Sequence, residues 1–389
     1  MFSSRARKTS VRQSSARRTA ALFGAALLLA ACSAAPEQQQ PPAASEAPRS
    51  QSQASQAPDG SFTVVATGDV LIHPALTDQA KEDGKGEIDY RPLLAGIKPL
   101  ISGADLGICH LETPLAPKGG PYSGYPSFSA PPEIVDALKD TGYDNCSTAS
   151  NHTIDQGVDG ATRTLDKLDE AGIKHTGSAR SAEEAKKPLI VDVKGVKVAQ
   201  ISFAYGFNGI KVPSGKPWLV NQIDAEDVIA QAKAARKAGA QVVVASLHWG
   251  TEYQHDATAE QRSLAKKLLG DDSIDLIIGH HAHVVQPFEQ INGKWVAYGL
   301  GNSVARHSEP KGSTEQGAAA RFRFVRDGER WKVDKAEYVP TLVQLGPPIR
   351  LLDLTAGKGG DAGAEALKAT DEVVLGRGAG EQGLTRPGR

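Results

Sequence analysis

The chain has 389 residues, 40% of them hydrophobic and 23% charged, with a formal net charge of −1. That is the composition of an ordinary soluble globular protein, long enough for one large α/β domain, and no run reaches the ~18 apolar residues a membrane-spanning helix needs. Residues 1–31 hold six basic residues (Arg5, Arg7, Lys8, Arg12, Arg17, Arg18) and no acidic one, so removing them from the net of −1 leaves −7, a balance that argues against a nucleic-acid binder.

The N-terminal segment has the layout of an export signal: the basic residues are followed by a 12-residue apolar run, Ala20–Ala31. Leu29-Ala30-Ala31-Cys32 resembles the bacterial lipobox, in which the cysteine is lipidated after cleavage. The expectation is a lipoprotein signal peptide over 1–31 and a lipid anchor on Cys32. The chain would then sit on the extracytoplasmic face of the cell membrane. The alternatives are an ordinary signal peptide with a chance cysteine, or a short buried helix. Arg17-Arg18 has the twin-arginine spelling, but the residues after it, Thr19-Ala20-Ala21, fit that export route poorly. Residues 32–60 are rich in Pro, Ser, Gln and Ala with no large apolar residue, and read as a disordered tether reaching ~30 Å.

A folded domain is expected over 61–356. FTVVATGDVLI reads as a buried strand running into a loop at Gly68-Asp69, and ADLGICHLETPL as a second apolar segment. A helix follows from about 132 to 140 with Gly142 past its end. YDNCSTASNH reads as a short strand and loop, and VDGATRTLDKLDEAGI as an amphipathic helix on Val158, Ala161, Leu165, Leu168 and Ile173. LIVDVKGVKVAQISFAYG is hairpin-like, turning at Lys194-Gly195. Helices over about 225–238 and 259–269 lead into the strands QVVVASLHWG and IDLIIGHHAH. KWVAYGLGN and a hairpin around Asp327-Gly328 supply further strands, and the Gly-rich residues 357–389 read as a flexible tail.

Strands alternating with helices, followed by hairpins, predict a layered α/β protein. Asp69, Glu112, Asn151, His152, His248, His281 and His283 each stand just past the end of an apolar strand, where the carboxyl ends of such sheets face a common crevice. Asp, Glu, Asn and His donors suit Mn, Zn or Fe(II), with Mg a further option, and a carboxylate can bridge two ions ~3.5–4 Å apart. Asn151 could instead cap the following helix, and Asp155 support its first turn. Cys109 and Cys146 either form a disulfide in an oxidising compartment or remain two buried thiols.

NCSTASNHTIDQGVDGATRTLDKLDEAGI, SLHWGTEYQ, IIGHHAHVVQP and AYGLGNSV resemble the motif blocks of the CapA-type family, associated with poly-γ-glutamate capsule synthesis. That family is similar to the calcineurin-like metallophosphoesterases, which implies a four-layer αββα sandwich. The resemblance covers about 62–350. It implies one or two divalent ions held by Asp69, Glu112, Asn151, His248, His281 and His283, with His152 assisting the leaving group. Glu252 and Tyr253 would line the substrate cleft, with a packed surface aromatic the equal alternative for Tyr253, and Asn302 would either contact substrate or bond backbone in a turn. His280 falls at a variable position and is placed outside the ligand set.

Two positions depart from that pattern. The phosphoesterases carry a histidine where this chain has Leu71, with His73 able to substitute only if its loop bends back. The family's asparagine before Leu-Glu is His110 here, as an extra ligand or a supporting group. The function implied is metal-dependent hydrolysis of a phosphoester or of an amide in an anionic envelope polymer. The rivals are a non-catalytic assembly lipoprotein that binds such a polymer or a membrane-bound synthase, and a general phosphatase.

Overall fold

The computed structural model describes residues 60–388; the signal-like segment, Cys32 and almost all of the tether lie outside the described residues. The first parallel run is β1 (Ser61–Val70), β2 (Leu106–Leu111), β3 (Asn145–Ser147) and β4 (Lys174–Thr176). Its crossovers carry α1 (Pro74–Asp83), α2 (Arg91–Leu94), α3 (Lys98–Ser102), α4 (Glu133–Thr141) and α5 (Gly157–Glu170). Past α6 (Ala182–Ala185), the chain builds a second sheet from β5 (Leu189–Val193), β6 (Val196–Ala204), β7 (Val242–His248), β8 (Leu276–His280), β9 (Phe288–Ile291) and β10 (Lys294–Ala297). Helix α7 (Ala225–Lys237) links β6 to β7, and α8 (Ala259–Gly270) links β7 to β8. The chain then returns to the first sheet with β11 (Asn302–Val304), β12 (Gln316–Asp327), β13 (Arg330–Gln344) and β14 (Arg350–Asp353), and ends in α9 (Gly360–Val374) and β15 (Leu384–Thr385).

The first sheet is ordered β14-β13-β12-β1-β2-β3-β4, with β11 also on β1 and β15 on β13; the second is β5-β6-β7-β8-β10-β9. Alternation along the strands divides the apolar side chains among three cores. Phe62, Val64 and Ala66 of β1 and Leu106 and Ile108 of β2 meet Val198, Val242, Val244, Leu276 and Ile278 of the other sheet. On the outer face of the first sheet, Val65, Cys109, Leu111 and Cys146 pack under Leu76, Ile101, Ile134, Leu138 and Leu165 from the helices. On the outer face of the second, Ala199, Ile201, Val243 and Ile277 pack under Val228, Ala232, Ala265 and Leu268. This is the four-layer αββα sandwich that the resemblance implies. Strands buried on both faces explain the near-continuous apolar runs.

The expected turns form where their chemistry demands. The β5–β6 hairpin closes at Lys194 (φ 52°) and Gly195 (φ 82°), and α4 ends on left-handed Gly142 (φ 106°). Cys109 and Cys146, opposite each other on β2 and β3, join as a disulfide with Cα atoms 4.5 Å apart, which resolves the alternative of free thiols.

The tail corrects the expectation of a loose segment. Residues 360–374 are the helix α9, whose Ala366 and Val374 are buried, and beyond it Ala379 and Leu384 are buried too. Its glycines gather at the start, Gly359 and Gly360 both having positive φ, while AEALKATDEVV is a helix-forming run held by packing on β12 and β13. Among the described residues no helix is long and apolar enough to cross a membrane.

Candidate metal centre

The site is a consequence of strand register. In the first sheet Asn302, Asp69, His110 and Ser147 are successive partners across β11, β1, β2 and β3. In the second, Ala204, His248 and His280 are partners across β6, β7 and β8. The two rows face each other where both sheets end. Glycine permits the close approach: a Cβ on Gly68 would lie 2.0 Å from the carbonyl oxygen of Gly301, the oxygen that accepts from Asp69 N at 2.9 Å.

Two acids and two histidines stand within reach of one ion. One donor atom each from Asp69, His110, Glu112 and His248 lies within 4.8 Å of the others, and all four residues are buried. Beside them, donor atoms of Glu252, His281 and His283 form a second such group. Asp69 Oδ2 is 3.1 Å from His283 Nδ1 and accepts from His281 N at 3.2 Å. His248 Nε2 is 2.9 Å from Asn151 Oδ1 and 3.9 Å from Glu112 Oε1, and His283 Nε2 is 3.6 Å from the same oxygen. The sequence set Asp69, Glu112, Asn151, His248, His281 and His283 is therefore brought together.

The residues fit a divalent cation on their own evidence. Glu112 is 1% exposed, and neither carboxylate oxygen has a hydrogen-bond partner among the described residues. An ionised carboxylate so placed is costly unless a positive charge meets it. Burial pushes Glu112 well above the ordinary carboxylate range. Burial would raise Asp69 too, but His280 and His283 override it and hold that acid well below its ordinary value. Burial, reinforced by His283, drives His281 down to about 3, a neutral imidazole with its Nδ1 unpartnered. Burial also acts to lower His283, yet Glu112 and Asp69 carry it up to about 10. An acid held high and an imidazolium held by two acids mark a place where protons stand in for a cation. Asp, Glu, Asn and His donors are the chemistry of Mn, Zn or Fe(II).

The backbone of the histidine loop is itself unusual. His281 (φ 92°) and His283 (φ 54°) both adopt left-handed conformations, which non-glycine residues enter only when their surroundings hold them. The flanking contact is Ala282 O, which accepts from Tyr253 N at 2.8 Å.

Neighbouring groups refine the sequence reading. His152 Nδ1 is 2.7 Å from Asp155 Oδ2, which also accepts from Phe128 N at 2.8 Å, so Asp155 orients His152 and does not serve the first turn of α5. Asn151 does not cap α5 either: the cap is Gln156, with no side-chain bond, while Asn151 Nδ2 donates to Asn208 Oδ1 at 3.2 Å. Asn302 takes up the backbone-bonding alternative and adds a contact to a histidine. It is fully buried, with Oδ1 3.0 Å from His283 Nδ1 and Nδ2 donating to Thr314 O at 2.8 Å, so it orients a histidine. His280, set apart in the sequence reading, is 3.3 Å from Asp69 Oδ1 and stacks on His110 with ring centres 4.1 Å apart.

Leu71 packs with Phe128 and Ala305, and His73 does not replace the missing histidine: its Nδ1 is 3.0 Å from Leu71 O. Glu252 and Tyr253 stand at the mouth, where Lys311 Nζ lies 3.4 Å over the Tyr253 ring. Tyr205 escaped the sequence reading. It is half-exposed, its ring centre 4.5 Å from that of His281, and a lone tyrosine ending SFAY gave no signal beyond a strand residue.

Residues 63–307 match the family model described as bacterial capsule synthesis protein PGA_cap. The chain is 31% identical over 226 residues to the capsule biosynthesis protein CapA of Bacillus anthracis, covering 57% of this chain and 53% of that one. It is 32% identical over 198 residues to the PGA biosynthesis protein CapA of Bacillus subtilis, covering 50% and 51%. The chain thus spans about half the length of these two relatives. Among solved structures, it aligns with the calcineurin-like phosphoesterase YfkN of Bacillus subtilis at a TM-score of 0.46 and 16% identity, over 81% of this chain and 98% of that one. With 63–307 inside its model, the chain belongs to the bacterial capsule synthesis protein family PGA_cap.

Proposed function

We propose that this chain is a metal-dependent hydrolase of the cell envelope, acting on a phosphoester or on an amide of an anionic surface polymer. The observation that carries it is Glu112: a buried carboxylate with no hydrogen bond to either oxygen, 3.9 Å from His248 Nε2 and 3.6 Å from His283 Nε2. Asp69, Glu112, Asn151, His248, His281 and His283 would hold the ion or ions. A bound divalent cation supplies Lewis-acid polarisation and lowers the pKa of water. His152 then works as the general acid. Asp155 accepts a hydrogen bond from its Nδ1–H and fixes the ring, so Nε2 is the nitrogen that passes a proton to the leaving group. Phe128, edge-on to His152 at 4.7 Å, closes one side of that ring. Tyr205, Glu252 and Tyr253 frame the entrance, with Lys311 as the cation that receives an anionic substrate. The capsule and PGA biosynthesis named for the two relatives supports a polymer as that substrate.

The test is elemental analysis of the purified chain after Mn or Zn is supplied, with a screen of phosphoesters and γ-glutamyl amides on the same sample. Asp69→Ala and His281→Ala should lose metal and activity together; retention of both ends the assignment. His152→Ala should keep its metal and lose about 10²–10⁴-fold in turnover. The phosphoester arm also separates a general phosphatase from a polymer hydrolase.

Leu71 favours a second reading, a non-catalytic assembly protein that binds the polymer or a membrane-bound synthase, because one expected ligand is gone. Below ~0.3 metal per chain that reading takes over. We also propose a lipid anchor at Cys32: Cys32→Ala should leave the membrane fraction, and its retention there rules the anchor out.

A further inference from the structure

His110 lies on β2 two residues before Glu112 and is fully buried. By distance it belongs with Asp69, Glu112 and His248 as a candidate ligand. Its hydrogen bonds assign it a different task. Nε2 is 3.0 Å from His248 Nδ1, and Nδ1 is 2.8 Å from Ser147 Oγ. Ser147 Oγ in turn lies 3.3 Å from the carbonyl oxygen of Cys109.

The polarity of this series depends on whether His248 Nε2 faces a cation. That nitrogen is 2.9 Å from Asn151 Oδ1, whose amide is oriented by the bond from its Nδ2 to Asn208. Without an ion, His248 donates from Nε2 to Asn151, and the protons of His110 Nε2 and Ser147 Oγ point the same way along the series. With an ion on Nε2, a neutral His248 carries its single N–H on Nδ1. His110 Nε2 then accepts, His110 Nδ1 donates to Ser147 Oγ, and the Ser147 hydroxyl turns to the Cys109 carbonyl. Every donor of this second arrangement still meets an acceptor, so the protein supports the tautomer that the ion requires.

We propose that His110 is a positioning residue and not a ligand: the relay Cys109 carbonyl–Ser147–His110 supports His248 as its Nδ1–H tautomer and presents Nε2 to a divalent cation. A ring with both nitrogens in hydrogen bonds has no lone pair left for an ion. Buried partners of this kind orient a ligating imidazole and raise its basicity, and losing one typically costs 10–100-fold in metal affinity. Both the ion and the tautomer it requires rest on the metal reading above.

Full-length protein labelled with ¹⁵N at histidine, titrated with Cd²⁺ enriched in ¹¹³Cd, tests both parts. The expected spectrum has His248 protonated at Nδ1, with ¹¹³Cd–¹⁵N coupling at His248 Nε2 and none at His110. His110→Leu should bind Cd²⁺ about 10–100-fold more weakly, His110→Gln should recover most of the loss because its amide oxygen can accept from His248, and Ser147→Ala should fall between them. Ser147→Ala also keeps the comparison available if His110→Leu fails to fold. Coupling at His110, His248 protonated at Nε2, or unchanged Cd²⁺ affinity in His110→Leu and Ser147→Ala would overturn the proposal. If the wild-type chain binds no cation, the metal reading falls and the relay with it; if it binds Cd²⁺ but the variants bind it equally well, the metal reading stands and the relay alone falls.

Discussion

At the scale of single residues, Glu112 and Asn302 make opposite kinds of contribution. Glu112 is a buried acid with no hydrogen-bond partner on either oxygen, so it burdens the metal-free fold and serves the loaded one. Glu112→Gln should weaken Mn or Zn binding at least ~10-fold. In EDTA the same variant should melt at or above the wild-type temperature, because the amide is neutral and needs neither a proton nor the His283 imidazolium to offset it. A lower Tm in EDTA would mean that the carboxylate is stabilised by the protein itself. Asn302 acts through His283, whose Nδ1 it shares with Asp69. Asn302→Ala should reduce metal content about 10-fold and leave KM unchanged once metal is saturating; a raised KM with full metal occupancy would return Asn302 to the substrate.

At the scale of elements, the C-terminal helix and the bridged strands carry the predictions. Val374 and Leu384 are buried against the inter-sheet core, and Tyr338 of β13 donates its hydroxyl to Asp371 of α9 at 2.7 Å. Ending the chain at residue 356 should cost roughly 4–6 kcal/mol from the lost burial of these and neighbouring side chains. The shortened chain should melt many degrees lower or aggregate, whereas a loose tail would leave the melting temperature unchanged. Cys109 and Cys146 should resist alkylation in denaturant until a reductant is added, and Cys109→Ser with Cys146→Ser should lower stability by ~2–4 kcal/mol. These elements also mark where the sequence stops being readable. The strand ends bearing Asp69, Glu112, His248 and His281 were legible because apolar runs broken by a ligand-type residue have a local signature. Asn302 behind His283, Tyr205 over His281 and the polarity of His110 are matters of register between strands distant in the chain. Helix α9 was hidden because glycine counts mask a helix whose stability comes from packing.

At the scale of the whole molecule, the buried imidazoles make the metal-free fold acid-sensitive. Burial pushes His73 down to about 4 and His307 to about 3, against 6.5 in the unfolded chain. Both folded-state values are depressed, so the unfolded chain takes up protons that the folded chain refuses, and stability falls as pH drops below about 6.5. His73 alone withdraws about 2 kcal/mol by pH 5, from the difference in proton binding between the two states. His283 works in the other direction: raised to about 10, its contribution is complete below 6.5 and is lost as pH climbs toward 10. In EDTA, Tm should therefore be highest near neutrality and decline on both sides. Mn or Zn at 100 times its Kd should add about 2.7 kcal/mol. With the metal concentration held fixed at that value for pH 7, the gain should grow from pH 6 to pH 8, because a cation takes over the charge that the His283 proton supplies to Asp69 and Glu112. On the acid limb the gain should vanish, since protons compete for the same nitrogens. A Tm profile that is flat between pH 5 and 8, or a metal increment that does not change with pH, would show that these histidines are structural alone and that the two acids are not waiting for a cation.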